Sequence, residues 1–133
     1  MIPRFRVWDK DFKTMYEADD IVYIDFEEKQ ICVKTLFFER ASRYDFNDII
    51  LMQSTGLTDK YGKEIFEGDI LSIETDEENV KVEVSWDSKH ALFAFESKKY
   101  NEKEPLAELF EDNSYPFKII GNIWEDGELL DGD

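Results

Sequence analysis

The stretch Met52–Leu71 decides the fold prediction and reads Met-Gln-Ser-Thr-Gly-Leu-Thr-Asp-Lys-Tyr-Gly-Lys-Glu-Ile-Phe-Glu-Gly-Asp-Ile-Leu. Within it, Asp59–Gly62 fits a type I turn, because Asp accepts hydrogen bonds from the backbone ahead of it and Gly tolerates positive φ. Glu67–Asp69 predicts a second turn, after which Ile70 and Leu71 begin an apolar strand. Two such turns between apolar positions predict consecutive antiparallel strands.

The residues downstream alternate with the period of two that is typical of half-buried strands. Apolar and polar residues alternate over 80–86, a turn follows at 87–89, and 92–95 is the predicted partner strand. Phe117–Trp124 predicts a last strand, in which Gly121 indicates a bulge or a tight bend.

The residues upstream predict a short strand at 5–7 and a hairpin over Ile21–Phe38. Adjacent aromatic residues on a strand point to opposite faces, so one of Phe37 and Phe38 should face away from the main core. With Tyr44 they form a candidate interaction surface. Two alternatives stay open: self-association of the chain, or a second small core over the N-terminal residues.

One short helix is predicted over Pro105–Glu111, because Leu109 and Phe110 follow Leu106 three and four positions later, which is helical spacing. Pro105 suits the first turn, and Glu102 and Glu104 suit the positive end of the helix. The sequence thus predicts a mainly β fold with this one helix.

The predicted organisation is a hairpin-rich N-terminal β unit over 1–50 and a small SH3-like β-barrel over 51–133. One continuous domain is the alternative, because no linker rich in Pro, Gly or Ser divides the chain.

The charge is strongly acidic and unevenly distributed. The chain has 133 residues with 32 Asp+Glu and 16 Lys+Arg, a net charge of −16. The net charge is −1 over 1–43, −7 over 44–100 and −8 over 101–133. This balance argues against direct binding to phosphate backbones, which depends on Lys and Arg. It leaves open an acidic mimic of DNA that occupies a nucleic-acid-binding protein of a host.

The aromatic residues of the predicted strands offer a second route to nucleic acid. Trp86, Phe93, Phe95 and Trp124 could stack on bases, but acidic residues flank them. Packing in the core is the better account of these side chains.

Residues suited to catalysis or to metal binding are few. Asp59, Glu64, Glu67 and Asp69 could pair for hydrolysis, but their spacing matches no calcium loop and favours turns. His90 is the only histidine, and one His with one Cys cannot complete a structural zinc site. With no glycine-rich nucleotide loop, we expect no cofactor, no metal and no enzymatic activity. A small carboxylate-dependent hydrolase remains an alternative, recognisable by two facing carboxyls with raised pKa in a cleft.

The expected setting is a reducing cytoplasm. Cys32 is the only cysteine, so it forms no internal disulfide, and its surroundings predict a buried apolar side chain. The sequence contains no run of about 18 apolar residues, so it predicts no membrane span. The N-terminus lacks the apolar region of a signal peptide.

Three blocks of the chain resemble the YopX family of bacteriophage and prophage proteins. They lie at 4–16, at 52–69 and at 119–130, and the middle block matches Met-Gln-x-Thr-Gly-Leu-x-Asp-x-x-Gly-x-x-Ile-x-Glu-Gly-Asp. Tyr61 departs from the pattern, where a small turn residue is expected. The blocks span nearly the whole chain, but the pattern is not clear over 72–115.

The resemblance implies a mostly β, barrel-containing fold and a phage-derived origin, and it implies no established activity. We therefore expect a non-enzymatic accessory protein that binds a protein of the phage or of its host. The residues of the resemblance with the clearest structural roles are Gly56, Asp59, Gly62, Gly68, Asp69, Gly121 and Asn122.

Overall fold

The fold is mainly β, as predicted. The computed structural model describes residues 2–35, 40–111 and 114–131. The chain divides into two compact units, Met1–Gln53 and Ser54–Asp133. The division predicted from the sequence lies three residues earlier, between residues 50 and 51.

The first unit is built from short antiparallel strands. These are β1 (Phe5–Asp9), β2 (Thr14–Tyr16), β3 (Ile21–Asp25), β4 (Gln30–Lys34), β5 (Ala41–Asp45) and the first half of β6 (Ile49–Thr58). Strand β1 pairs with β2 and β6, and β3, β4 and β5 form a sheet in that order. The predicted hairpin is therefore confirmed over 21–34, whereas Phe37 and Phe38 lie outside the described residues.

The core of the first unit is aliphatic. Val7, Ile31, Val33 and Ile49 are buried together, and half-buried aromatic residues including Tyr16 pack around them. Cys32 on β4 is also buried, as predicted.

The second unit is organised around a curled sheet of five antiparallel strands. These are β8 (Asp69–Glu74), β9 (Asn79–Asp87), β10 (Leu92–Ser97), β11 (Glu102–Pro105) and β12 (Phe117–Asn122), in the order β11-β10-β9-β8-β12. The end of β6 forms a hairpin with β7 (Glu64–Phe66), in which Thr58 lies opposite Glu64. The pairing of β12 with β8 shifts register between Ile119 and Gly121, which confirms the predicted irregularity.

The short helix predicted over Pro105–Glu111 is confirmed, and its bounds lie one residue inside the predicted ones at each end. A 3₁₀ helix covers Leu106–Phe110, and Glu102–Pro105 is strand β11, paired with Ala94–Ser97. Hydrogen bonding to a neighbouring strand overrides the local preference of this acidic segment for a helix start. The described residues also contain 3₁₀ helices that the sequence does not predict, at Ala18–Asp20, Phe46–Asp48 and Gly127–Leu130. None of the helices in the described part of the chain has the length and apolar character needed to cross a membrane.

The core of the second unit lies on one face of the five-stranded sheet. Leu71, Ile73, Val82 and Val84 point to this face, and Leu106 and Leu109 of the 3₁₀ helix are buried against them.

The prediction that the strand aromatics pack in the core holds for only some of them. Phe93 and Phe95 pack against the core cluster, but Trp86 and Trp124 are 43% and 37% exposed. Both tryptophans lie where a strand ends or just beyond it, so the sheet covers only part of each ring.

Candidate functional site

Asp59 links the β6–β7 hairpin to the last strand. Its Oδ1 accepts hydrogen bonds from the backbone N–H groups of Tyr61 and Lys63, both at 2.9 Å, and its Oδ2 accepts one from Ile119 at 3.0 Å. Burial acts to raise the pKa of Asp59, but these three donors and the charge of Lys63 lower it below its usual value. Because both of its oxygens accept backbone hydrogen bonds, this carboxylate stabilises the local backbone and is poorly suited to act as an acid or a nucleophile.

Glu64 and Asp69, two other carboxylates of the 52–71 stretch, each accept a hydrogen bond from another residue of that stretch. Asp69 Oδ2 accepts a hydrogen bond from the Phe66 backbone at 2.8 Å across the turn in which Gly68 has φ +86°. Glu64 accepts one from the Ser54 hydroxyl at 2.6 Å. The first contact is that of a tight turn, and the second joins the paired strands β6 and β7.

Asn122 ends the last strand two residues before the predicted end at Trp124. Its side-chain oxygen accepts hydrogen bonds from the backbones of Trp124 and Glu125 at 3.0 and 2.9 Å, which turns the chain away from the sheet. Asp126 accepts a hydrogen bond from the Asn122 backbone at 3.1 Å and lies over Gly121. A Cβ atom on Gly121 would lie 2.5 Å from Oδ2 of Asp126, so this turn needs glycine there.

Tyr44, proposed from sequence as part of a surface, is half-buried on β5. Its hydroxyl lies 3.4 Å from that of Tyr16, and the two rings are 6.1 Å apart. Burial and then the contact with Tyr16 raise the pKa of Tyr44 above its usual range. Phe37 and Phe38, the other two residues of that predicted surface, lie outside the described residues.

His90 lies in the turn after β9, where Nδ1 is 2.8 Å from Oδ2 of Asp87. Among the described residues, no three His, Cys, Asp or Glu side chains are grouped to hold a metal ion.

The apolar face of the five-stranded sheet contains a groove of about 310 Å³. Its apolar lining comes from Ile73, Val80, Val82 and Phe95. The same face is buried further along by the 3₁₀ helix Leu106–Phe110. The groove is therefore a part of the core face that this helix leaves accessible, and its size is at the lower end of known ligand sites.

The rim of this groove is polar and acidic. It is formed by Thr75, Ser97, Tyr100, Glu102 and Glu104. Tyr100 is 48% exposed, and the Nζ of Lys99 lies 5.4 Å from the centre of its ring. An apolar floor with few polar groups around it is the usual composition of a binding site.

A second cavity of about 390 Å³ contains a pair of carboxylates. Glu83 on β9 lies directly opposite Glu96 on β10, and Lys98, Leu130 and Asp131 also line the cavity. Burial and then the charge of Glu96 raise the pKa of Glu83.

Sequence reasoning missed both sites. The sequence places Glu102 and Glu104 at the positive end of the predicted helix and does not predict strand β11. The alternation of Glu102, Lys103 and Glu104 before a proline was the available signal, because an edge strand tolerates proline at such a position.

Comparisons with known proteins give a family and no activity. The family model described as YopX protein matches residues 4–131. The crystal structure of protein EF1440 from Enterococcus faecalis is similar, with 27% identity, a TM-score of 0.63, and coverage of 98% of this chain and 99% of that one. The X-ray structure of protein yopX from Bacillus subtilis has 19% identity, a TM-score of 0.65, and coverage of 96% and 97%. No curated protein matches the chain.

The residues matched by the family model include the β6–β7 hairpin, the groove and the Asn122 turn. The match covers nearly the whole length, and the chain belongs to the YopX family.

Proposed function

We propose that this protein is a non-enzymatic accessory protein, of phage or prophage origin, that acts in the bacterial cytoplasm by binding another protein. The apolar groove is the observation that supports this function. Its floor is formed by Ile73, Val80, Val82 and Phe95, and its rim is polar. On this proposal the five-stranded sheet is the SH3-like barrel expected from the sequence, and the groove is its binding face.

The size of the groove suits one side chain of a partner. A volume of about 310 Å³ is enough for a large aliphatic or aromatic group. Full burial of such a side chain stabilises a complex by about 1.5–3 kcal/mol. A single anchor gives a modest affinity, and neighbouring contacts around the rim would add to it.

The experiment is affinity purification from bacterial cells with groove and control variants. Val80→Arg places a charge in the groove, and Val22→Arg makes the same change at an exposed position of β3. Tyr100→Ala, at the exposed rim, is a second groove variant should Val80→Arg fail to fold.

We expect a protein that is recovered with the wild type and with Val22→Arg and is lost with the groove variants. Recovery of the same proteins with all variants, or of none with the wild type, would contradict the proposal.

DNA mimicry is supported less well. A mimic needs rows of carboxylates at phosphate-like spacing, whereas several acidic residues here pair with lysines. Examples are Lys60 with Glu74 at 2.6 Å and Lys99 with Glu78 at 2.8 Å.

A hydrolase is the second candidate, because Glu83 and Glu96 face each other in a cavity and Glu83 has a raised pKa. Glu83 would act as the general acid and Glu96 as the base or nucleophile. The test is turnover of a panel of nitrophenyl glycosides and esters. Hydrolysis by the wild type that Glu83→Gln abolishes would support this candidate, and equal rates for both proteins would exclude it.

A further inference from the structure

The β11 side of the groove rim is negatively charged because of how the side chains of this strand alternate. Glu102 and Glu104 lie on the groove side, whereas Lys103, between them in sequence, has its Nζ 3.6 Å from Asp87 Oδ2. Successive side chains of a strand point to opposite faces. Strand β11 thus presents two acids to the groove and its lysine to the other face.

The acidic rim continues into the 3₁₀ helix that follows β11. Glu108 interacts with Glu104 and with Glu111. Burial and then the charges of Glu104 and Glu111 raise the pKa of Glu108 above its usual value. Like charges held this close repel one another, and a cation placed beside them lowers that repulsion.

The basic residues Lys98 and Lys99 near the rim are paired with acidic residues outside the groove lining. The Nζ of Lys99 lies 2.8 Å from Glu78 Oε2, and that of Lys98 is paired with Asp131. The groove is therefore apolar at its floor and negative along the β11 side.

We propose that the groove binds a cationic peptide segment of a partner protein, with one large apolar side chain on the groove floor and Lys or Arg on either side of it. This inference rests on the proposed function and adds the chemistry of the partner. Charge complementarity selects this occupant. A second copy of the chain fits less well, because each copy has a net charge of −16.

The test uses three short peptides and the full chain. The probe is acetyl-Lys-Lys-Trp-Lys-Lys-amide, and its controls replace every Lys with Glu or replace Trp with Gly. Binding is followed by the amide shifts of Val80, Val82 and Phe95 in ¹⁵N–¹H NMR spectra. We expect the Lys-Trp peptide to shift these amides, the Glu peptide to bind at least about tenfold more weakly, and the Gly peptide at least about fivefold more weakly.

A matched pair of charge variants locates the effect at the rim. Glu102→Gln with Glu104→Gln should weaken binding of the Lys-Trp peptide about fivefold at low salt, and by less at high salt because the charges are screened. The control is Glu125→Gln with Glu128→Gln. It removes the same charge, from the exposed turn after β12 and from the Gly127–Leu130 helix, neither of which lines the groove. This control should leave the affinity within about twofold.

Three outcomes would overturn the inference: no shift at the groove amides, equal affinity for the Lys and Glu peptides, or equal weakening by both double variants. Acetyl-tryptophanamide binding as tightly as the Lys-Trp peptide would also overturn it, in favour of a small apolar ligand. The proposed function has a separate test, because the Val80→Arg and Tyr100→Ala purifications do not depend on the charge of the partner.

Discussion

At the scale of single residues, Asp59 joins the β6–β7 hairpin to the last strand. Its carboxylate is buried and satisfies three backbone N–H groups, two in its own turn and one 60 positions away at Ile119. A buried N–H group that loses its acceptor lowers the stability of the folded protein by about 1–3 kcal/mol. Asp59→Asn should therefore lower the free energy of unfolding by about that amount, as measured by urea denaturation at pH 7. The control Asp76→Asn, at an exposed turn position, should change it by less than about 0.5 kcal/mol.

The contribution of Asp59 also depends on pH. Because its pKa is lowered in the folded protein, its stabilisation is complete above the ordinary carboxyl pKa and is lost as the pH falls through the lowered value. The difference between wild type and Asp59→Asn should therefore shrink in acid. A difference that stays constant from pH 7 to pH 3 would show that the carboxylate charge is not involved.

Gly62 and Gly127 form a matched pair for backbone strain. Neither has an atom within 4 Å of an added Cβ, but Gly62 has φ +79°. Gly62→Ala should cost about 1–2 kcal/mol, because L-residues are strained at positive φ. Gly127→Ala should be neutral or slightly stabilising. Equal melting temperatures for the two variants would contradict this account of the turn.

Glu83 predicts the opposite pH behaviour to Asp59. Its pKa is raised by burial and by Glu96, so its charged form destabilises the fold above that raised pKa. Glu83→Gln should raise the free energy of unfolding at pH 7, and the gain should disappear as the pH falls below the raised pKa. Chemical denaturation from pH 4 to pH 8 measures this, with Glu128→Gln as the exposed control. A lower free energy of unfolding for Glu83→Gln than for the wild type at pH 7 would contradict this prediction. It would mean that other groups compensate the charge of Glu83.

At the scale of elements, the 3₁₀ helix Leu106–Phe110 closes part of the core face by burying Leu106 and Leu109. Leu106→Ala should cost about 2–5 kcal/mol, because it leaves a cavity in the core. Phe110 is exposed and makes one edge-to-face contact with Phe117 at 5.2 Å. Phe110→Ala should therefore cost only about 1 kcal/mol. Thermal unfolding of the two variants should show the larger loss of stability for Leu106→Ala. A larger loss for Phe110→Ala would contradict this packing.

The same elements show what a sequence can and cannot predict. The β6–β7 hairpin was predictable because Asp59, Gly62 and the flanking apolar residues give local signals. The register shift at Gly121 was predictable for the same reason. Strand β11 was not, because four residues ending in proline give only a weak local signal and the strand depends on pairing with β10.

The candidate site was harder to predict than the fold. Its floor consists of strand residues such as Val80, Val82 and Phe95, which any sheet core would contain. They form a groove because the 3₁₀ helix covers only part of that face. How much of the face the helix covers depends on tertiary packing, which a local sequence pattern does not reveal. The hydrogen bond from the Ile119 backbone to Asp59 depends on tertiary packing in the same way.

At the scale of the whole molecule, the net charge of −16 acts against the compact state. Moderate salt should raise the melting temperature by screening the repulsion among carboxylates such as Glu104, Glu108 and Glu111. Differential scanning fluorimetry in NaCl, from low to physiological concentration, measures this effect. A flat or falling melting temperature would refute it.

We propose that the apolar groove of the five-stranded sheet binds a protein, and photo-crosslinking in bacterial cells tests this. The crosslinker p-benzoylphenylalanine is placed at Tyr100, on the groove rim, or at Tyr61, in the β6–β7 turn. Both tyrosines are exposed, at 48% and 74%, so access to solvent does not separate them. We expect a discrete protein adduct from position 100 and none from position 61. No adduct from position 100, or the same adduct from both positions, would contradict binding at the groove.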